Sequence, residues 1–491
     1  MTARIAGRIG TIDRLSAVMA SPTLIRLGAE LATEHRVGRR PAHPPYVMLQ
    51  FAALARLARS GVRVELDLAN PATWDFARSI TLESIHAHSL DVPAPGPLPP
   101  TWEQWRWFRD QRLATDEGLG VLARTFPQLA VDLARRIGQL DPHGAGSLTH
   151  PDATRTVYGD GTIVRPIYHP PRAVRVHDDD GAIMPMYPDP RTGELALKPP
   201  GRFDPDLAEH HGHLGPVLGH GYVAFHTRGP SPNQRVVLGV DHIDAPGHEA
   251  ACALRLLADI ARHAGSGIQL VVYDGAFRGV HIDHVMRRHG YLVISKMPTH
   301  EDDDGAVQAV RTSEGRMAKS YPLGIATHDT PDGPCGHPLA AIGGRVVQLD
   351  LDDTGDPVVV AIPRRGPVKR SRRTNGQFHF NLGYDVSCPR GEFTVWVAPH
   401  GNADSAARPE NLRAIPDDDP DSLRLRGLRS DAESFHASLK RTLLTERAMS
   451  LGWRRGLLDT YAYALLNNAL TEMVAEGAQT RGAWRTAAAR R

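Results

Sequence analysis

Apolar residues recur every three or four positions through most of the first 150 residues. The pattern predicts helices at 21–35, 44–61, 70–89 and 102–140, with the proline-rich VPAPGPLPP (92–100) dividing the region into two helical units. After residue 151 the periodicity changes. TVYGDGTIV (156–164) reads as a strand, a polar stretch rich in Pro, Asp and His fills 166–218, and GYVAFHTRG (221–229) with QRVVLGVDHI (234–243) reads as a strand pair. A helix over 248–265, a short β-branched strand at IQLVVYD (268–274), a helix over 278–290 and a strand at YLVISKMP (291–298) complete a β-β-β-α-β-α-β order. Strand-like alternation returns in RVVQLDLDD, DPVVVAIPRR, GQFHFNLGYDVSC and EFTVWVAPHG, and an acidic, proline-containing linker then leads to a long helical region at about 428–475.

The expected organisation is therefore a helical unit over 1–150, an α/β core over 151–325, a β-rich insertion over 326–410, and a helical completion of the core over 411–491. At 491 residues with 41% hydrophobic and 23% charged positions, the chain is an ordinary globular one. No apolar run reaches the roughly 18 residues that span a bilayer, and the first twenty residues lack a signal-peptide apolar stretch, so a cytoplasmic protein is expected. Cys252, Cys335 and Cys388 lie far apart with no C-x2-C pair, which offers neither a disulfide framework nor a thiolate zinc site. The net charge of +2 hides an uneven distribution. Residues 1–63 hold ten arginines against Asp13, Glu30 and Glu34, a front end suited to a polyanion.

Three acids stand where this topology converges its strand ends: Asp160 in the first strand, Asp274 at the end of the fourth, and Glu433 on the helix after the insertion. Three carboxylates drawn together repel one another, whereas two divalent cations about 3.5–4 Å apart are held by such a set. Hard oxygen ligands favour Mg2+ or Mn2+. Each acid also has a plainer reading. Gly-Asp-Gly at 159–161 and Asp-Gly at 274–275 are turn chemistry, and Ser430-Asp431-Ala432-Glu433 is a capping-box pattern. Against the capping reading, at 100° per residue Arg426, Arg429, Glu433, Lys440 and Arg447 fall on one helical line, with Phe435 and Leu439 opposite. Such a face, one acid among four cations, suits phosphate contact.

Arg429-x3-Glu433-x6-Lys440, with VYGDGT around Asp160, VVYDGAFRG around Asp274 and the late YAYALLNNAL (461–470), resembles the branch of bacterial insertion-sequence DDE transposases that carries a Y-x2-R-x3-E-x6-K signature. The resemblance covers about 151–475 at the level of motifs. It implies an RNase H-like mixed-sheet core with a β-rich insertion, behind an all-helical N-terminal domain that binds transposon ends. By this resemblance Asp160, Asp274 and Glu433 hold two Mg2+ or Mn2+ ions, and Arg429 and Lys440 contact phosphates. The protein would cut phosphodiester bonds at terminal inverted repeats and join the freed 3'-hydroxyl to target DNA, as a homodimer, at the nucleoid. One departure is clear: Arg426 stands at the signature tyrosine position. It favours the alternative of an inactive or repurposed transposase-derived DNA-binding protein.

Within the insertion, PRRGPVKRSRRT (363–374) places Arg364, Arg365, Lys369, Arg370, Arg372 and Arg373 on an expected hairpin that suits a DNA-backbone clamp, or a solvated loop. Trp396 reads as a core tryptophan of a strand, although the resemblance offers base stacking. His210, His211, His213 and His220 cluster in sequence without a helical H-E-x-x-H arrangement. They suggest a loop more than a zinc site, although a metal-dependent hydrolase of small phosphoesters would use them. Helix 44–61, the Ser60-Gly61 break and the segment after it could form a helix-turn-helix variant or a plain three-helix packing.

Overall fold

The structure, a computed structural model, describes residues 11–32, 41–168, 173–177, 181–189, 192–197, 204, 206–212, 215–231, 234–296, 308–311, 317–355, 357–400, 407–443 and 445–489. It is a mixed α/β protein built round one curled mixed sheet.

Helices α1 (Thr11–Ala20), α2 (Pro22–Glu30), α3 (Pro45–Ala58), α4 (Gly61–Leu68), α5 (Pro71–Ala87), α6 (Trp102–Phe108) and α7 (Asp116–Arg136) come first. Their starts are written locally: the side chains of Ser21, Ser60, Asn70, Thr101 and Thr115 each accept a hydrogen bond from a backbone N–H of the first turn. Every residue from Tyr46 to Arg56 of α3 is buried, as its nearly continuous apolar sequence requires. The proline-rich 92–100 segment does not divide this region. Tyr46, Trp74 and Arg78 donate to the carbonyls of Pro93, Pro97 and Pro95 and pin it across the helices.

Strand β1 (Thr156–Val164) follows, then a small outlying sheet of β2 (Val174–His177), β3 (Ile183–Pro188) and β4 (Leu195–Ala196), so the polar stretch contains strands. Strands β5 (Ala208–Gly212), β6 (Gly215–Arg228) and β7 (Arg235–Ile243), helix α8 (Glu249–Ala264), β8 (Leu270–Val272), α9 (Gly279–His289) and β9 (Leu292–Ile294) complete the sheet. β1 pairs antiparallel with β6 on one side and parallel with β8 on the other, and β8 pairs parallel with β9. The far edge of β6 takes β5 along Gly215–Gly219 and β7 along Gly221–Arg228. The parallel pairs have the helical crossovers that parallel strands need, and β8 and β9 are apolar and buried at every position.

Among the described residues, the β-rich part begins at Gln308 rather than at 326. Strands β10 (Gln308–Arg311), β11 (Met317–Thr330), β12 (Gly333–Ile342), β13 (Arg345–Leu351) and β14 (Pro357–Ala361) close a barrel, followed by a sheet of β15 (Lys369–Arg372), β16 (Phe378–Val386) and β17 (Phe393–Val397). The early barrel strands escape a periodicity reading because β11 carries Pro322, Gly324 and a bulge between them. Helices α10 (Pro420–Gly427), α11 (Ser430–Thr442) and α12 (Trp453–Ala489) close the chain.

One hydrophobic core runs from Val18 of α1 through the sheet to Ala469 of α12. The N-terminal helices share it, with α7 and α12 both packed on β7. α12 also satisfies the edge of β7. Asn468 accepts from the Val237 N–H at 2.8 Å and donates to the Val237 carbonyl at 2.9 Å, and Asn467 donates to the Arg235 carbonyl.

Candidate metal centre

Parallel pairing decides where the first two acids lie. Tyr158 of β1 is level with Val272 of β8, so two residues further along, Asp160 in the middle of β1 comes beside Asp274, just past the end of β8. A third carboxylate joins them from α8: Asp160, Asp274 and Glu249 each offer an oxygen, and these lie within 4.8 Å of one another.

Glycine makes this approach possible. A Cβ on Gly161 would lie 2.4 Å from the Glu249 carboxyl carbon, so only a bare backbone lets that side chain lie over β1. Gly159 is pressed instead by the rings of Phe225 and Tyr273. Gly-Asp-Gly is thus mid-strand and not a turn. Asp274 keeps its turn role as well, since its Oδ1 accepts the Ala276 N–H at 2.8 Å. The Tyr273 hydroxyl orients Glu249 with a 3.0 Å hydrogen bond.

The sequence does not single out Glu249, because an acid in the first turn of a helix ordinarily serves the helix dipole. The only local signal is Gly161, and its meaning depends on α8 folding back over β1.

Glu433 lies one ion pair away. Arg429 reaches Asp160 at 3.3 Å and Glu433 at 3.1 Å, so one guanidinium joins a half-buried acid to an exposed one. The capping box does not form. The N-cap of α11 is Arg429 without a side-chain cap, and the Ser430 hydroxyl donates back to the Gly427 carbonyl. Nor is the cationic stripe on one helix: α10 ends at Gly427, α11 begins at Ser430 and ends at Thr442, so Arg426 and Arg447 lie on other segments. Arg426 pairs with Asp417 at 3.5 Å, and Arg447 donates to the Pro166 carbonyl.

Burial raises the Asp160 pKa to about 7. Arg429 opposes that shift, and Asp274 and Glu249 reinforce it. Glu249 is raised for the same first reason, with Asp274 adding to it. Lys440 is lowered by burial and by Arg165, while Glu446 and Asp160 attract its charge. His436, held near pKa 3 by burial and Lys440, is neutral and pairs through Nε2 with the Asp160 carbonyl at 3.3 Å. The centre is a trio of partly buried carboxylates with two cations beside it. It can bind a divalent cation, and its flanking cations can meet an anionic substrate.

Away from the acids, Arg370 donates to the Gly290 carbonyl, Arg372 to the Gly376 carbonyl, and Arg373 meets His379 at 3.0 Å, all on the exposed β15–β16 hairpin. Arg364, by contrast, turns inward to the Ala414 carbonyl. Trp396 is not a core residue: it is 41% exposed on β17, with the Lys369 ammonium 3.7 Å from its ring centre. Of the histidine tract, His220 pairs with buried Asp204 at 2.9 Å, while His213 lies outside the described residues. So do five of the ten front-end arginines: Arg4, Arg8, Arg36, Arg39 and Arg40. Among the described residues, no helix is long and apolar enough to cross a membrane.

No protein-family model matches the sequence, and no curated protein matches it.

Proposed function

We propose that this chain is a DDE transposase that cuts DNA phosphodiester bonds at transposon ends and joins the 3'-hydroxyl to target DNA. The observation that carries the reading is the meeting of Asp160, within β1, with Asp274, two residues past the end of parallel β8, and a third carboxylate, all with oxygens within 4.8 Å of one another. The sheet order β7-β6-β1-β8-β9, in which only β6 opposes its neighbours, supports an RNase H-like core, and the β-rich segment between Asp274 and Glu433 fits the same scheme.

The donors suit the group. Asp160 and Glu249 are acids whose charged forms burial disfavours, and a divalent cation would restore them. Asp160, Asp274 and Glu249 would hold Mg2+ or Mn2+, with Glu433 brought in through Arg429. Bound ions supply Lewis-acid activation of a water or 3'-hydroxyl and stabilise the leaving oxygen. Arg429 and Lys440 then hold the scissile phosphate against the acids. His436 buttresses the Asp160 backbone, and Tyr273 fixes the Glu249 carboxylate. The exposed β15–β16 hairpin and Trp396 provide a cationic and aromatic surface for the DNA flanking the cut. Pairing of two ends by a homodimer follows from the same resemblance.

Incubation with supercoiled plasmid and Mn2+, and with DNA ends taken from inverted repeats flanking the gene, tests this. Nicking that falls at least about 100-fold in Asp274→Asn supports it. Binding of those ends without metal-dependent cleavage would favour a DNA-binding protein with no catalytic role.

A further inference from the structure

We propose that the β-rich region contains a structural zinc site formed by His328, Cys335, His337 and Cys388. These residues each place a ligand atom within 4.8 Å of the other three. The spacing in sequence hides the set, because Cys335 and Cys388 are 53 residues apart.

Strand geometry assembles three of the four. His328 of β11 is directly opposite Cys335 of β12, so their side chains share a face, and His337, two residues after Cys335, shares it too. The fourth comes from the turn between β16 and β17. There Cys388 Sγ accepts the Arg390 N–H at 3.4 Å, a donor that favours a thiolate. Phe393, at the start of β17, stacks on His328 with ring centres 4.4 Å apart and lies 5.2 Å from the His337 ring.

Two further observations point to a ligand. The Nε2 atoms of His328 and His337 are buried and make no hydrogen bond, an arrangement that costs free energy unless something else binds there. The two sulfurs are 3.7 Å apart. A disulfide needs about 2.05 Å, whereas two thiolates on one tetrahedral zinc, each about 2.3 Å from it, are separated by about 3.8 Å. Two thiolates and two imidazoles suit Zn2+ rather than the hard cations suited to the carboxylate trio, and a full set of four leaves no open position for catalysis. Binding displaces one proton from each thiol, so affinity falls as pH falls. The consequence is mechanical: the metal ties the tip of the β11–β12 barrel hairpin to the β16–β17 turn, and so fixes the sheet that carries Lys369, Trp396 and the basic hairpin.

Elemental analysis of full-length protein purified without chelator tests the site. About one zinc per chain is expected, retained in Asp274→Asn and lost in Cys335→Ser/Cys388→Ser. Should that variant fail to fold, the wild-type protein still decides the matter. Exchange into Co2+ gives thiolate charge-transfer and tetrahedral ligand-field bands, and an organomercurial that blocks two thiols releases the metal. Wild-type protein that carries no zinc and takes up no Co2+ under reducing conditions overturns the proposal, as does zinc that survives in a folded double variant.

Discussion

Gly159 and Gly161 sit either side of Asp160 and meet different neighbours, which separates folding from function at adjacent positions. Gly159→Ala drives a Cβ into the rings of Phe225 and Tyr273 and should cost about 1–3 kcal/mol of stability, read by denaturant unfolding. Gly161→Ala meets only the end of the Glu249 side chain, which can swing away. It should cost less than about 1 kcal/mol yet weaken Mn2+ binding by about 10-fold. Asp160 adds a pH signature. Its folded-state pKa is raised from 3.8 to about 7, so the metal-free folded protein holds the proton more tightly than the unfolded chain, and stability falls as pH rises through that window. Asp160→Asn removes the slope. Its thermal midpoint should exceed that of wild type at pH 8, with the gap closing near pH 4; parallel curves would contradict the assignment. Asp160 and Asp274 were legible in the sequence because a strand and its end identify them locally. Glu249 was not, because its place in the site depends on a missing Cβ at Gly161, 88 residues earlier in the chain.

Among the elements, α11 separates two readings of the same four residues. A capping box at Ser430 would make Ser430→Ala cost about 1 kcal/mol. With Arg429 at the N-cap and Ser430 bonded to Gly427, the substitution should change stability by less than about 0.5 kcal/mol, measured by chemical denaturation. Hydrophobic periodicity located β1, β6, β7, α8, β8, α9 and β9, because each buries a regular face or run. It missed β10, only four residues long, and β11 and β12, whose sequence is broken by Pro, Gly and a bulge. It also read 428–475 as one helical region and projected 426–447 onto a single helix, since a 100° projection cannot see the chain turn at Leu428 or α11 end at Thr442, and so it drew a cationic stripe across helix boundaries.

For the whole molecule, helices α1 to α7 belong to the core of the sheet. Glu472 of α12 is the clearest tie: it accepts from Ser21 at 2.8 Å and Thr23 at 3.3 Å and pairs with Arg136 of α7. Glu472→Ala should cost about 2–3 kcal/mol, and calorimetry should show one transition for the helices and sheet together; a separate early transition for residues 1–150 would contradict the shared core. Helical periodicity reported that these helices exist, and could not report that their apolar faces meet β7 and α12, since that is a property of non-local packing. The central claim is that Asp160 and Asp274 together hold a divalent cation, and titration of metal-free protein with Mn2+, followed by electron paramagnetic resonance, tests it most directly. Saturable binding by wild type that is weakened at least about 100-fold in both Asp160→Asn and Asp274→Asn is the predicted result. Unchanged Mn2+ binding in either variant would contradict it.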